Sequence, residues 1–94
     1  MNSYEFEVIC KNALIEILKD KYGDWFNIEE LHLVWFTKVL QNWKCIIIDL
    51  GKNNRMYECT FNGNKKELYI DIYDKQHNIV VEETNFNKIA KGGN

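Results

Sequence analysis

Glu58 and Asp71 are two carboxylates that face each other if the stretches 55–61 and 67–73 pair as a hairpin, and Asp49 supplies a third acid on the neighbouring stretch. Such a spot can receive a Lys or Arg from a partner, hold a divalent ion weakly, or act as an acid–base pair. Like charges on directly facing strand positions also cost stability. Neutralisation by Arg55 or Lys75, or simple solvation, is therefore the plainer expectation. Phe36, Trp43, Tyr69 and Tyr73 lie in the same stretches, with Lys38 among them. Aromatic groups of this kind can grip a protein surface or stack bases, although the neighbouring acids oppose phosphate.

Other chemistry is thin. His32 and His77 are far apart, and neither has a Ser or Cys with an orienting carboxylate at a recognisable spacing. The glycines match no phosphate-binding loop. Cys10, Cys45 and Cys59 are separated by 35 and 14 positions, without a CxxC or Cys/His cluster. That pattern predicts small buried fillers in a reduced setting rather than a structural zinc. No catalytic residue, metal or cofactor is expected.

The elements that must position these residues are set mostly by local pattern. Phe6, Ile9, Cys10, Ala13, Leu14, Ile17 and Leu18 recur at helical spacing. Asn2 and Glu5 form a capping-box pattern, and Gly23 is a natural left-handed stop, so a helix over about 3–21 is predicted. Strand-like stretches follow at Leu31–Leu40, Trp43–Leu50, Arg55–Phe61 and Glu67–Tyr73, with a weaker fifth at Asn78–Glu82. Short polar breaks at 41–42, 51–54, 63–66 and 74–77 read as hairpin loops.

These loop choices predict a register. Trp35 pairs with Ile48, Ile48 with Tyr57, and Tyr57 with Ile72. One face then carries Leu33, Trp35, Val39, Ile46, Ile48, Leu50, Tyr57, Cys59, Phe61, Leu68, Ile70 and Ile72, which the helix stripe would cover. The opposite face carries Val34, Phe36, Lys38, Leu40, Trp43, Cys45, Ile47, Met56, Thr60, Tyr69 and Tyr73, together with Asp49, Glu58 and Asp71. One helix covers only one face of a sheet. The second face is thus predicted to meet a partner protein, a second copy of the chain, or the segment bearing Phe86 and Ile89.

The fold expected is α+β: an N-terminal helix on one face of a four- to five-stranded antiparallel meander, over residues 1–83. A polar, flexible tail at 84–94 follows. Net charge is −2, with 12 basic and 14 acidic residues, which argues against a protein devoted to gripping nucleic-acid backbone. No apolar run is long enough to span a membrane, and the opening residues do not resemble a secretory leader. Twelve Asn, 11 Ile and 11 Lys, with no Pro and one Arg, report an AT-rich genome as much as any function.

The stretch Val34-Trp35-Phe36-Thr37-Lys38-Val39-Leu40-Gln41-Asn42-Trp43-Lys44 resembles a small uncharacterised family of phage and prophage proteins from low-GC Gram-positive bacteria. The likeness extends to Tyr57–Glu67 and Tyr69–Tyr73 and covers about residues 4–83, the Lys-x-Leu-Gln-Asn-Trp-Lys run being its most specific part. Phe36 and Thr37 stand where smaller residues are expected. The resemblance implies a phage-encoded accessory protein of the host cytoplasm and carries no catalytic residue over. The expected function is a non-enzymatic interaction module, a modulator or inhibitor of a host or phage protein, acting through Phe36, Trp43, Tyr69 and Tyr73. The alternative is binding of a nucleotide or single strand on the same aromatics, at a homodimer interface.

Overall fold

Helix α1, Ser3–Tyr22, starts and stops where its local chemistry dictates. The Asn2 side chain accepts a hydrogen bond from the Glu5 N–H at 2.8 Å, satisfying one of the free donors of the first turn. At the other end Gly23 adopts φ 70°, and its N–H returns to the Lys19 carbonyl at 2.9 Å. The computed structural model describes residues 1–49, 55–74 and 79–92.

A 3₁₀ turn at Ile28–Glu30 leads into four strands: β1 Leu31–Val39, β2 Asn42–Asp49, β3 Met56–Asn62 and β4 Glu67–Tyr73. They form one antiparallel meander in the order β1-β2-β3-β4, so the α+β architecture read from the pattern is the one observed. Residues 79–82 do not join the sheet, which has four strands among the described residues. Beyond them lie a 3₁₀ turn at Glu83–Asn85 and a one-turn helix, α2, at Phe86–Ala90. Phe86 and Ile89 are exposed there, so that segment does not cover the sheet as one reading had it.

The α1 residues at every fourth position, Phe6, Cys10, Leu14 and Leu18, are fully buried against the sheet. Burial of this kind contributes about 1.5–3 kcal/mol for each large side chain. The stripe is narrower than predicted: Ile9 is exposed, while Ala13 and Ile17 flank the contact half-buried.

Register decides which face each sheet residue occupies. The β3–β4 pairing is the predicted one, with Tyr57 opposite Ile72, Cys59 opposite Ile70 and Phe61 opposite Leu68. Between β2 and β3 the prediction is off by one residue: Trp43 faces Phe61, Cys45 faces Cys59 and Ile47 faces Tyr57. A slip of one residue sends every β2 side chain to the other face. Trp43, Cys45, Ile47 and Asp49 are therefore buried beneath α1, and Ile46 and Ile48 lie on the helix-free side. The assumed four-residue loop at 51–54 set the predicted slip; it lies outside the described residues.

The first hairpin turns at Leu40–Gln41 instead of Gln41–Asn42, because Val39 pairs with Asn42. Contacts with the β3–β4 turn hold it there. The Asn42 side chain accepts from the Gly63 N–H at 3.2 Å, and Gln41 donates to Asn64. A Cβ on Gly63 would lie 2.3 Å from the Gln41 carbonyl oxygen, so the two turns approach closely only because residue 63 has no side chain. Further along, a bulge between Leu33 and Trp35 changes the facing of β1 midway. Leu31 and Leu33 thereby join Phe36 on the helix side, while Trp35 turns away.

Each cross-strand row beneath α1 is consequently apolar or nearly so. Leu33, Ile47, Tyr57 and Ile72 form one, and Phe36, Cys45, Cys59 and Ile70 the next. Lys38, Trp43, Phe61 and Leu68 form a third, at the turn end. Phe6, Phe36 and Trp43 close that end as an aromatic cluster with ring centroids 5.5–6.1 Å apart. At the opposite end the buried Asp49 carboxylate accepts a hydrogen bond from the Tyr57 hydroxyl and a longer one, 3.4 Å, from the Arg55 N–H. The Arg55 guanidinium bonds Asp74 at 2.7 Å and Asp24 at 3.2 Å and stacks 4.0 Å from the Tyr22 ring. The only arginine of the chain thus ties the end of α1 to the β3 and β4 edge.

Candidate functional site

Three rows of side chains occupy the face that α1 leaves uncovered. The central row is Trp35, Ile46, Glu58 and Asp71. One side of it is flanked by Thr37, Lys44, Thr60 and Tyr69, the other by His32, Ile48, Met56 and Tyr73. Trp35, Tyr69 and Tyr73 are each between 42% and 46% exposed, which leaves their rings half available for contact. Ile46 and Ile48 lie half-buried between them. The result is a sheet surface with an apolar middle and polar groups scattered through it.

Electrostatics on this face are partly internal. Glu58 and Asp71 do face each other across β3 and β4, as predicted. Lys44 answers Glu58 at 3.0 Å, a role assigned beforehand to Arg55 or Lys75. Arg55 is engaged at the sheet end, and Lys75 lies outside the described residues. Asp71 is exposed and has no cationic partner among the described residues. The Tyr69 hydroxyl donates to Glu67 on the same strand, and that bond, with a lesser contribution from desolvation, raises the Tyr69 pKa.

Of the predicted binding residues, Glu58, Tyr69, Asp71 and Tyr73 lie together on this face. Phe36, Lys38 and Trp43 do not, because of the β2 slip. Trp43 is 7% exposed and belongs to the core, with the Lys38 ammonium 4.6 Å from its ring centre. Lys38, Trp43 and Phe61 border an open concavity of about 660 Å³ at the turn end, also lined by Leu40 and Lys66. Asp49 is likewise absent from the open face, so the three-acid cluster does not assemble. Trp35, Thr37, Lys44, Ile46 and Ile48 are face residues that the pattern missed. The three consecutive isoleucines 46–48 suit either side of a sheet, so only long-range pairing could have placed them.

A second constellation lies beneath α1. Cys10 from the helix, Cys45 from β2 and Cys59 from β3 are all fully buried, as expected of fillers. Their Sγ atoms nevertheless lie within 4.8 Å of one another, a convergence that the wide sequence spacing conceals. Hydrogen bonds from Cys10 and then Cys59 lower the Cys45 pKa against the opposing effect of burial. Cys10 is raised, first by its bonds to Cys45 and Cys59 and then by burial. Cys59 is drawn down by Cys10, but its bond to Cys45 and its burial carry it upward overall.

No helix among the described residues is long and apolar enough to cross a membrane. No curated protein and no solved structure matches the chain. A family model described as a family of unknown function, DUF6275, matches residues 7–83, which takes in α1 and all four strands. The likeness read from the Lys38–Lys44 stretch and the β3–β4 hairpin falls inside those bounds, and by this match the chain belongs to the DUF6275 family.

Proposed function

We propose that this protein is a non-enzymatic protein-interaction module whose docking surface is the helix-free face of its sheet. The observation that carries the proposal is the exposure of Trp35, Tyr69 and Tyr73 around Ile46 and Ile48 on a face that no described element covers. Aromatic anchors grouped around an apolar centre, with a polar rim, are the composition of interface cores. The matching partner surface is flat and apolar, a sheet face or a helix pair, and presents a Lys or Arg to Asp71. The setting we propose is that of a phage-encoded accessory protein in the host cytoplasm, modulating or inhibiting a host or phage protein by occlusion.

The test uses the tagged protein expressed in phage-infected host cells. Wild type is expected to capture a stoichiometric protein, and the Trp35→Ala/Tyr69→Ala double variant, with unchanged circular dichroism, is expected to lose it. Equal capture by both overturns the proposal. Sedimentation of the purified chain adds a second discriminator: a tight homodimer broken by Ile46→Lys would give the face to a second copy instead. The exposed tyrosines also have the disposition of a base-stacking platform. Glu58 and Asp71 oppose that use, and the Lys44 cation is already paired. Salt-sensitive binding of a single-stranded oligonucleotide, lost in Tyr69→Ala, would favour it.

A further inference from the structure

We propose that Cys10, Cys45 and Cys59 form a closed three-sulfur site for a soft monovalent metal cation, Cu(I). Three separate elements deliver the three cysteines of the chain to one point, and their Sγ atoms all lie within 4.8 Å of each other. Metal–sulfur bonds of about 2.3 Å in a planar trigonal arrangement require sulfurs about 4 Å apart. The observed spacing is within about 1 Å of that requirement. Cys45 and Cys59 are directly paired across β2 and β3, so two ligands are preset by the backbone and Cys10 completes the triangle from above.

The identity of the ion follows from what surrounds the sulfurs. Zinc prefers four ligands, and no His, Asp or Glu among the described residues joins this group. All three cysteines are at 0% exposure, which also keeps water from serving as a fourth ligand. Three soft sulfurs in a dry, low-coordinate pocket select Cu(I). Binding exchanges thiol protons for the metal: Cu(I) forms bonds to sulfur as S–H bonds break, and the protons leave to solvent with no change of oxidation state.

The experiment titrates anaerobic, fully reduced full-length protein with Cu(I) in competition with a Cu(I)-specific chelator. The proposal expects one Cu(I) per folded chain, a thiolate-to-copper charge-transfer band, three sulfur neighbours by X-ray absorption, and a rise in melting temperature. Cys10→Ala removes a ligand outright and is expected to weaken binding by at least the roughly 10–100-fold that loss of an outer-shell partner costs. If that variant does not fold, the wild-type melting shift decides: copper that leaves the melting temperature unchanged or lowers it overturns the site. So does a zinc-induced shift equal to that of copper, or undiminished binding in folded Cys10→Ala. A chain that forms a Cys45–Cys59 disulfide in air but takes up no Cu(I) when reduced also overturns it.

Discussion

Replacing Trp43 by alanine tests the observed register against the one that the pattern favours, because the two put this side chain on opposite faces. In the structure Trp43 is 7% exposed, lies 5.5 Å from the Phe6 ring and 5.7 Å from Phe36, and carries the Lys38 ammonium over its own ring. Truncating a buried tryptophan costs about 3–5 kcal/mol, the transfer loss plus the cavity it leaves. Loss of two aromatic neighbours places this site in the upper part of that range. A domain of this size has a total stability of about 5–10 kcal/mol, so Trp43→Ala is expected to leave it barely folded. Trp35→Ala is the matched control. That ring is 45% exposed on the other face, and its removal is expected to cost about 1 kcal/mol or less. Urea unfolding followed by far-ultraviolet circular dichroism measures both without relying on the fluorescence of the deleted residue. Equal costs, or a greater cost at Trp35, would refute the face assignment and with it the docking surface.

Three further outcomes follow from local geometry. Tyr57→Phe removes the hydroxyl donor to the buried Asp49 carboxylate and should cost about 1–3 kcal/mol in chemical denaturation. Burial, and then the bond to Asp49, raise the Tyr57 pKa above its ordinary value, so the neutral form is the one that folding favours. Its contribution is complete below about pH 10 and is lost as pH rises toward the folded-state value, so wild type should lose more stability in alkali than Tyr57→Phe does. Gly63→Ala should destabilise by about 1–3 kcal/mol by forcing apart the two turns that meet at Gln41, read as a lower melting temperature. Leu40→Asn should instead stabilise by about 0.5–1 kcal/mol, since Leu40 holds φ 57° while 80% exposed and asparagine tolerates that conformation better.

What was legible in the chain divides along the range of the interactions involved. α1 was readable because its cap, its period and Gly23 are all within one segment. The β3–β4 register was readable because a four-residue polar loop, 63–66, separates two alternating strands and leaves one consistent pairing. β1 and β2 were not, for three physical reasons. The isoleucines 46–48 make β2 apolar on both sides, the bulge before Trp35 has no sequence marker, and the Leu40–Gln41 turn is placed by its contact with the other turn. Four of the seven proposed binding residues therefore fell on the open face, those of β3 and β4. Phe36, Lys38 and Trp43 fell on the other side. The meeting of Cys10, Cys45 and Cys59 was invisible for the same reason: it is produced by the β2–β3 register and by the docking of α1.

The most direct measurement of the docking claim is hydroxyl-radical footprinting of the chain alone and in the complex captured from infected cells. Trp35, Tyr69 and Tyr73 are expected to lose reactivity in the complex. Tyr4 and Trp25, 72% and 69% exposed and outside the sheet, should keep theirs. Unchanged reactivity at the three sheet aromatics, or protection confined to Tyr4 and Trp25, would contradict it.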